Sequence, residues 1–153
     1  MNLLNINNLS IRHGQQVLVD DLSLTINAGE WLALVGESGS GKSLTALACL
    51  GLLSPSLNSQ GELSVTGINL AQATPDELRS LRGSRVGMVY QEPLSALNPL
   101  HRIGQQLIEA ITLHQALPLN LARQKALSLL QYLLSTNRKA LLKSLLDPRE
   151  ILT

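Results

Sequence analysis

The sequence is poor in aromatic residues, in cysteine and in net charge. It has no phenylalanine, one tryptophan and two tyrosines, so the core must be aliphatic and few rings are present on which a base could stack. The single cysteine, Cys49, excludes an intramolecular disulfide and a cysteine-based zinc site, and it fits a reducing compartment. Lysine and arginine number 12 against 11 aspartates and glutamates, which gives no electrostatic case for binding nucleic acid or an anionic membrane.

Long hydrophobic runs are also missing. No stretch approaches the ~18 apolar residues of a membrane span, and the first residues, MNLLNINNLS, lack the basic and apolar regions of a signal peptide. We therefore expect a globular chain that works at a membrane only through a partner. Its 153 residues, 44% of them hydrophobic, suffice for one domain with a sizeable core.

The first seventy residues have the pattern of short strands. The compact run at residues 31–35, Trp-Leu-Ala-Leu-Val, neither alternates nor is long, so it predicts a strand buried on both faces. Ahead of it, apolar residues mostly alternate with polar ones in four stretches, at residues 4–6, 9–11, 17–19 and 22–26.

From Gly41 onwards, apolar residues recur at helical spacing. This spacing predicts a helix that ends before Ser54-Pro55. Residues 61–67 predict another short strand, and the capping box at residues 74–77, Thr-Pro-Asp-Glu, begins a short helix. Residues 85–90 predict a second buried strand, and the last third of the chain is helical, with Asn120 as an N-cap. The residues at helical spacing in the first helix are Leu44, Leu47, Ala48 and Leu52.

One motif carries chemistry. It satisfies the pattern G-x-x-x-x-G-K-[ST] of a phosphate-binding loop and lies between a predicted strand and a predicted helix. Glycines let the backbone approach phosphate oxygens, and successive N–H groups and the helix N-terminus hold the negative charge. Lys42 can reach the β- and γ-phosphates, and the Ser43 hydroxyl suits Mg²⁺. The motif is Gly36, Glu37, Ser38, Gly39, Ser40, Gly41, Lys42 and Ser43.

Other polar residues are weaker candidates. Asp20 and Asp21 end an apolar stretch as a magnesium-binding strand would, but they precede the phosphate loop, so we interpret them as a solvated turn. Cys49, beside an apolar helical stripe, is typical of a small core residue. No cysteine or carboxylate stands at metal-ligand spacing from the histidines His13, His101 and His114.

Besides the phosphate loop, the sequence contains Ala-Gly-Glu at residues 28–30 and Val-Tyr-Gln-Glu-Pro-Leu-Ser-Ala-Leu-Asn-Pro-Leu at residues 89–100. These segments, and above all the last, resemble the nucleotide-binding subunits of ABC transporters. They resemble in particular the ATPases of oligopeptide, dipeptide and nickel importers. Within that branch, they are most similar to the N-terminal half of the duplicated ATPases of peptide and microcin C uptake systems. The resemblance implies an α/β P-loop NTPase fold: the N-terminal part of an ABC nucleotide-binding domain, with an antiparallel β subdomain, a P-loop core strand and helix, and the start of a helical subdomain. It covers residues 1–132 as an incomplete domain and leaves residues 133–153 as an atypical helical tail.

Site roles follow from the resemblance. The ligands implied are ATP and Mg²⁺, with residues 36–43 around the phosphates and Ser43 and Gln91 on the metal. Gln91 stands as the glutamine that senses the γ-phosphate. His13 takes the position where the family commonly stacks adenine on an aromatic ring, and Leu44 replaces a hydroxyl residue that contacts the α-phosphate, a loss for which Thr45 is one possible substitute.

Partners follow in the same way. The region from residue 92 to about 115 would dock on ABC permease subunits, and a second ATP-binding domain would pair with this one head to tail. The expected location is peripheral, on the cytoplasmic face of the inner (plasma) membrane, with contact to the membrane only through the permease and none to nucleic acid.

The sequence also departs from the family. It contains no Leu-Ser-Gly-Gly-Gln signature, no apolar strand ending in Asp-Glu and no switch histidine, so no catalytic residue is assigned and ATP hydrolysis by this chain stays open. Two hypotheses follow: a truncated ATP-binding component of an importer for peptides or similar solutes, or a non-catalytic remnant that binds nucleotide or a permease. A GTPase or small-molecule kinase is disfavoured because no Asn-Lys-x-Asp motif occurs.

Overall fold

The computed structural model describes residues 2–90 and 97–135, with side chains up to residue 132. The chain forms two compact units, and the second begins at Met88. The first unit contains a sheet and two short helices, and the second contains two longer helices.

The sheet of the first unit is antiparallel and has four strands in the order β2-β1-β3-β4. The first two strands form a long hairpin, because the short stretches predicted from the sequence merge into two 12-residue strands. Ile6, Leu9 and Ile11 of the first strand and Val19 of the second form the buried core with Ala48 of the first helix. The strands are β1 (Asn2–His13), β2 (Gln16–Asn27), β3 (Asn58–Val65) and β4 (Ile68–Asn69).

A pair of irregularities bends the hairpin. Asn8 and Asp21 both have left-handed backbones, with φ of 52° and 46°, where the register of the β1–β2 pair shifts. The Asn8 side-chain amide donates to the Asp21 carboxylate at 2.7 Å, and the Asp21 amide donates to the Ser10 hydroxyl at 3.1 Å. The interpretation of Asp20 and Asp21 as a turn is therefore wrong. Both are exposed but lie inside β2, because paired bulges allow the strand to continue.

Two helices pack in the first unit. Helix α1 (Lys42–Cys49) is shorter than predicted, because Gly51 is left-handed with φ of 61° and its amide caps the Ala48 carbonyl at 2.9 Å. Helix α2 (Pro75–Leu81) begins with the predicted capping box, which is confirmed. Arg82 joins the two helix ends, since its guanidinium donates to the carbonyls of Leu50 and Gly51, both at 2.8 Å.

The two strands predicted as buried are the main errors. Residues 31–35 have no strand partner among the described residues, and Trp31 is fully exposed. Residues 85–90 form only an isolated bridge from Arg82 to Val86, and Val89 is 94% exposed. Both runs have the composition of interior strands, but within the part of the chain that the structure describes neither pairs with a strand.

The second unit contains α3 (Ile103–Gln115) and α4 (Leu119–Ser135), which confirms the prediction that this part is helical. Ile111 packs on Ala122 and Ala126. The prediction of Asn120 as N-cap is wrong, because α4 already begins at Leu119. Among the described helices, none has the length and apolarity needed to cross a bilayer.

Candidate functional site

The loop at residues 36–41 joins the unpaired run to α1 through glycines in left-handed backbone. Gly39 and Gly41 have φ of 83° and 86°, which side-chain-bearing residues adopt only with strain. Gly41 is also buried, and a Cβ there would lie 2.6 Å from Val19 Cγ2 and 2.7 Å from the Leu18 carbonyl oxygen. Position 41 therefore favours glycine for two reasons: its backbone is left-handed, and β2 leaves no room for a Cβ.

The N-terminus of α1 is open to an anion. Its N-cap is Gly41, which offers no side-chain acceptor, and no acidic residue lies in the first turn. The Thr45 amide donates to the Gly41 carbonyl at 2.9 Å, so the amides of residues 42–44 precede the helical bonds and have no acceptor within the helix. Free amides and the positive end of the helix dipole favour a bound anion at this place.

Lys42 is half-buried and turned back onto the loop. Its ammonium donates to the carbonyls of Gly36 at 2.7 Å and Glu37 at 2.6 Å, and to the Ser40 hydroxyl at 3.0 Å. These bonds use the three donors of the ammonium group. An anion in the loop must therefore exchange with at least one of them, and the hydroxyl of Ser40 is a weaker acceptor than a phosphate oxygen.

The hydroxyl residues that follow have different surroundings. Ser43 is exposed, so its oxygen is accessible to a hard cation such as Mg²⁺. Thr45 is buried, and its hydroxyl donates to the Gly41 carbonyl at 3.1 Å. Thr45 is thus bonded to its own helix and does not replace the hydroxyl that Leu44 lacks.

Strand β2 lies against the loop and borders an open cavity of about 240 Å³. Leu18, Val19 and Asp20 line it from the strand, and Ser40 and Lys42 line it from the loop and helix. The contact could not be predicted from the sequence, because nothing local connects β2 to a loop some twenty residues later. The one available signal was the glycine at position 41, which permits the close approach.

The remaining predicted site residues lie elsewhere. His13 is exposed at the end of β1, opposite Gln16, and is not among the residues that line the cavity. Gln91, predicted as a metal ligand and sensor of the γ-phosphate, lies outside the described residues. Of the predicted site residues, the structure therefore brings together residues 36–43.

Two titratable groups flank the loop. The Glu30 carboxylate accepts from the Asn27 amide at 2.6 Å and from its side chain at 3.2 Å, and these bonds lower the pKa of Glu30. Burial raises the pKa of the Cys49 thiol, which packs against the core, so the thiol stays protonated at neutral pH. Neither group competes for an anion in the loop.

Comparison with known proteins finds a family and several relatives. The family model described as ABC transporter matches residues 19–147. Over 134 residues the chain is 48% identical to the uncharacterized ABC transporter ATP-binding protein YejF of Escherichia coli, covering 84% of this chain and 25% of that protein. It is 43% identical to the probable D,D-dipeptide transport ATP-binding protein DdpD of Escherichia coli, covering 78% of this chain and 37% of DdpD.

A further relative and a solved structure also point to ATP-binding proteins of this kind. The chain is 38% identical to the dipeptide transport ATP-binding protein DppD of Escherichia coli, and the match covers 85% of this chain and 41% of DppD. The ATP-binding cassette MJ0796, solved as a dimer bound to ADP and Pi, shares the fold with a TM-score of 0.70 at 24% identity, covering 84% of this chain and 56% of that one. The chain thus spans less than half the length of these transport relatives. Since the family model matches most of its residues, the chain belongs to the ABC transporter family.

Proposed function

We propose that this chain is the ATP-binding part of an ABC importer for peptides or similar solutes, and that it binds Mg-ATP at residues 36–43. The observation that carries the proposal is the geometry of the loop. Two left-handed glycines shape its backbone, the N-terminus of α1 has no side-chain cap, and the Lys42 ammonium lies within hydrogen-bond distance of the loop carbonyls. Together these groups surround an anion with N–H donors and a positive charge.

Each residue has a distinct proposed role. The amides of residues 42–44 bind phosphate oxygens, and Lys42 exchanges its bond to Ser40 for one to a phosphate. Ser43 contributes its exposed hydroxyl to Mg²⁺, and Gln91 is the second proposed ligand. Bound Mg²⁺ would neutralise phosphate charge. His13 is proposed to contact adenine, although its ring offers less stacking area than tyrosine.

The partners are proposed from the names of the relatives, two of which are dipeptide transport proteins. A permease would dock on residues 92 to about 115, and a second ATP-binding domain would pair head to tail, as the cassette MJ0796 is dimeric. Within that region, Leu100 and Leu113 are 90% and 77% exposed, which supports a contact surface. Such an assembly would sit on the cytoplasmic face of the membrane.

Hydrolysis is not proposed for these 153 residues alone. The sequence contains neither the Leu-Ser-Gly-Gly-Gln signature nor the Asp-Glu strand, and positioned charge without a group that activates water leaves phosphoryl transfer incomplete. This observation favours the second candidate for the isolated chain, a nucleotide-binding or permease-interacting fragment without transport activity. We expect ATP turnover at background level in pure protein, and turnover that Lys42→Ala abolishes would contradict this.

Calorimetry tests the site. Loss of a hydrogen bond to a charged group costs about 1.5–3 kcal/mol, so Lys42→Ala should weaken Mg-ATP binding about ten- to hundredfold. Lys125→Ala is the matched control, because Lys125 lies on α4 and bonds only Gln115 among the described residues, at 2.5 Å. Equal affinity in wild type and Lys42→Ala would refute the assignment. Preference for GTP over ATP in competition would instead favour another class of P-loop protein.

A further inference from the structure

The helix that follows the phosphate loop is too short to be stable by itself. Helix α1 has eight residues, Lys42–Cys49, and an isolated helix of this length does not persist in water. At its start Gly41 packs against β2, and Ala48 in its last turn lies in the core beneath the sheet. Contacts with the rest of the first unit must therefore keep α1 folded.

Arg82 makes such a contact where α1 ends. Its Nε donates to the Leu50 carbonyl and its Nη2 to the Gly51 carbonyl, both at 2.8 Å. The side chain is half-buried, and the Arg82 amide donates to the Leu78 carbonyl at 3.3 Å, at the end of α2. Arg82 thus fastens the end of α1 to the end of α2.

The charge of Arg82 also suits its place. A positive charge at the C-terminus of a helix faces the negative end of the helix dipole and stabilises it. Helix α1 has no basic residue in its own last turn, so Arg82 supplies this charge from outside the helix. Within residues 2–90 and 97–132, its guanidinium bonds only the two carbonyls, whereas the exposed Arg79 pairs with Asp76.

The two ends of α1 are close enough to influence each other. At 1.5 Å per residue, its eight residues span about 12 Å, so Leu50 is about two turns away from the amides of residues 42–44. Those amides are the proposed phosphate ligands, and the helix axis sets their direction. Because helix formation is cooperative, a helix this short loosens at its start when its end is released.

We propose that Arg82 is a positioning residue for phosphate binding: by bonding the end of α1, it keeps the amides at the start of that helix directed at the phosphates. This role rests on the proposed function, the binding of Mg-ATP at residues 36–43. Arg82 does not touch the nucleotide and acts through the backbone of α1. Since coupling between two places is reciprocal, bound Mg-ATP should in turn strengthen the contact between Arg82 and α1.

Calorimetry measures the effect of Arg82 on binding. Arg82→Ala should weaken binding of Mg-ATP about fivefold, at the low end of couplings between separate sites. Binding of inorganic triphosphate with Mg²⁺ should weaken by the same factor, because the effect lies in the groups that hold phosphate. Arg82→Gln keeps a neutral donor for one carbonyl and should lose less than Arg82→Ala.

Two controls separate this effect from a general loss of stability or charge. Arg79→Ala removes an exposed arginine that pairs only with Asp76 among the described residues, and it should leave both affinities unchanged. Circular dichroism at the temperature of the titration checks that each variant is folded. A variant that is merely less stable, but still folded, would bind with the affinity of wild type.

Hydrogen exchange reads the contact directly, with and without nucleotide. The amides of Leu50, Gly51 and Leu52 donate to the carbonyls of Leu47 and Ala48, so they report on the end of α1. Without nucleotide, Arg82→Ala should speed their exchange, because the last turn then opens more often. Mg-ATP should slow exchange at these amides in wild type, and this slowing should be smaller in Arg82→Ala.

Several results would overturn the role of Arg82. Affinity for Mg-ATP that is equal in wild type and Arg82→Ala would do so, and a loss in Lys42→Ala alone would then leave the proposed site in place. Exchange at residues 50–52 that Arg82→Ala does not change would also contradict it. If Arg82→Ala does not fold, Arg82→Gln takes its place, and wild-type affinity in that variant would be decisive. A wild type that binds neither Mg-ATP nor inorganic triphosphate would overturn the proposed function, and the role of Arg82 with it.

Discussion

The apolar residues of β1 and the apolar run at residues 31–35 have similar composition and opposite surroundings. Ile11 is 0% exposed and Trp31 is 100% exposed. Strand β1 has neighbours on both edges, β2 and β3, whereas the run has none among the described residues. The difference shows that composition sets the tendency to form a strand, while burial depends on partners distant in sequence.

The phosphate loop lies between these two regions and depends on the first. Gly41 packs against Val19 and Leu18 of β2, so the paired sheet supports the loop from one side. The unpaired run enters the loop from the other side at Gly36. Substitutions in the two regions test how far the sheet alone maintains the fold and the loop.

The largest effect is expected in the sheet core. Ile11→Ala removes a fully buried side chain and should lower the free energy of unfolding by about 2–5 kcal/mol. Leu32→Ala, in the exposed run, should change it by less than about 0.5 kcal/mol. Urea unfolding followed by circular dichroism measures both. Similar losses for the two variants would mean that the run is buried in solution.

The next largest effect is a difference in stability between substitutions at two glycines of the loop. Both Gly39→Ala and Gly41→Ala put a side chain on left-handed backbone, which costs about 1–2 kcal/mol. At Gly41 the added Cβ also meets β2, a further ~1–3 kcal/mol of overpacking, whereas at Gly39 it meets open space. Thermal unfolding of the pair should rank Gly41→Ala as clearly less stable. Equal losses would argue against the contact between β2 and the loop.

The smallest effect concerns the capping box of α2. Thr74→Ala should cost about 1 kcal/mol, because Thr74 Oγ1 accepts from the Glu77 amide at 3.3 Å. In return, the Glu77 carboxylate accepts from the Thr74 amide at 2.8 Å and from its hydroxyl at 2.9 Å. These bonds lower the pKa of Glu77.

The sign of the pH dependence follows from that lowered pKa. The stabilisation that Glu77 contributes is complete above the pKa of Glu in the unfolded state, about 4.3. It is lost as the pH falls through the lower pKa of the folded state. The difference in unfolding midpoint between wild type and Thr74→Ala should therefore be larger at pH 7 than in acid, where only the part that comes from the bond between the Glu77 amide and Thr74 Oγ1 remains. A difference that is constant with pH would contradict the role of the carboxylate.

Local signals predicted much of the first unit. The glycine loop at residues 36–41, the helix that follows it and the capping box at Thr74 were predictable because each depends on a few adjacent residues. The continuous hairpin was not, since its bulges rest on a contact between Asn8 and Asp21. The buried strand at residues 31–35 was predicted wrongly because its burial requires strands beside it.

Hydrogen exchange with and without Mg-ATP tests the central claim, that the loop and the start of α1 bind phosphate, most directly. If they do, exchange should slow at the amides of residues 36–45 and stay unchanged in α3. Lys42→Ala should lose most of this protection. Protection confined to other segments, or none at saturating Mg-ATP, would contradict the claim.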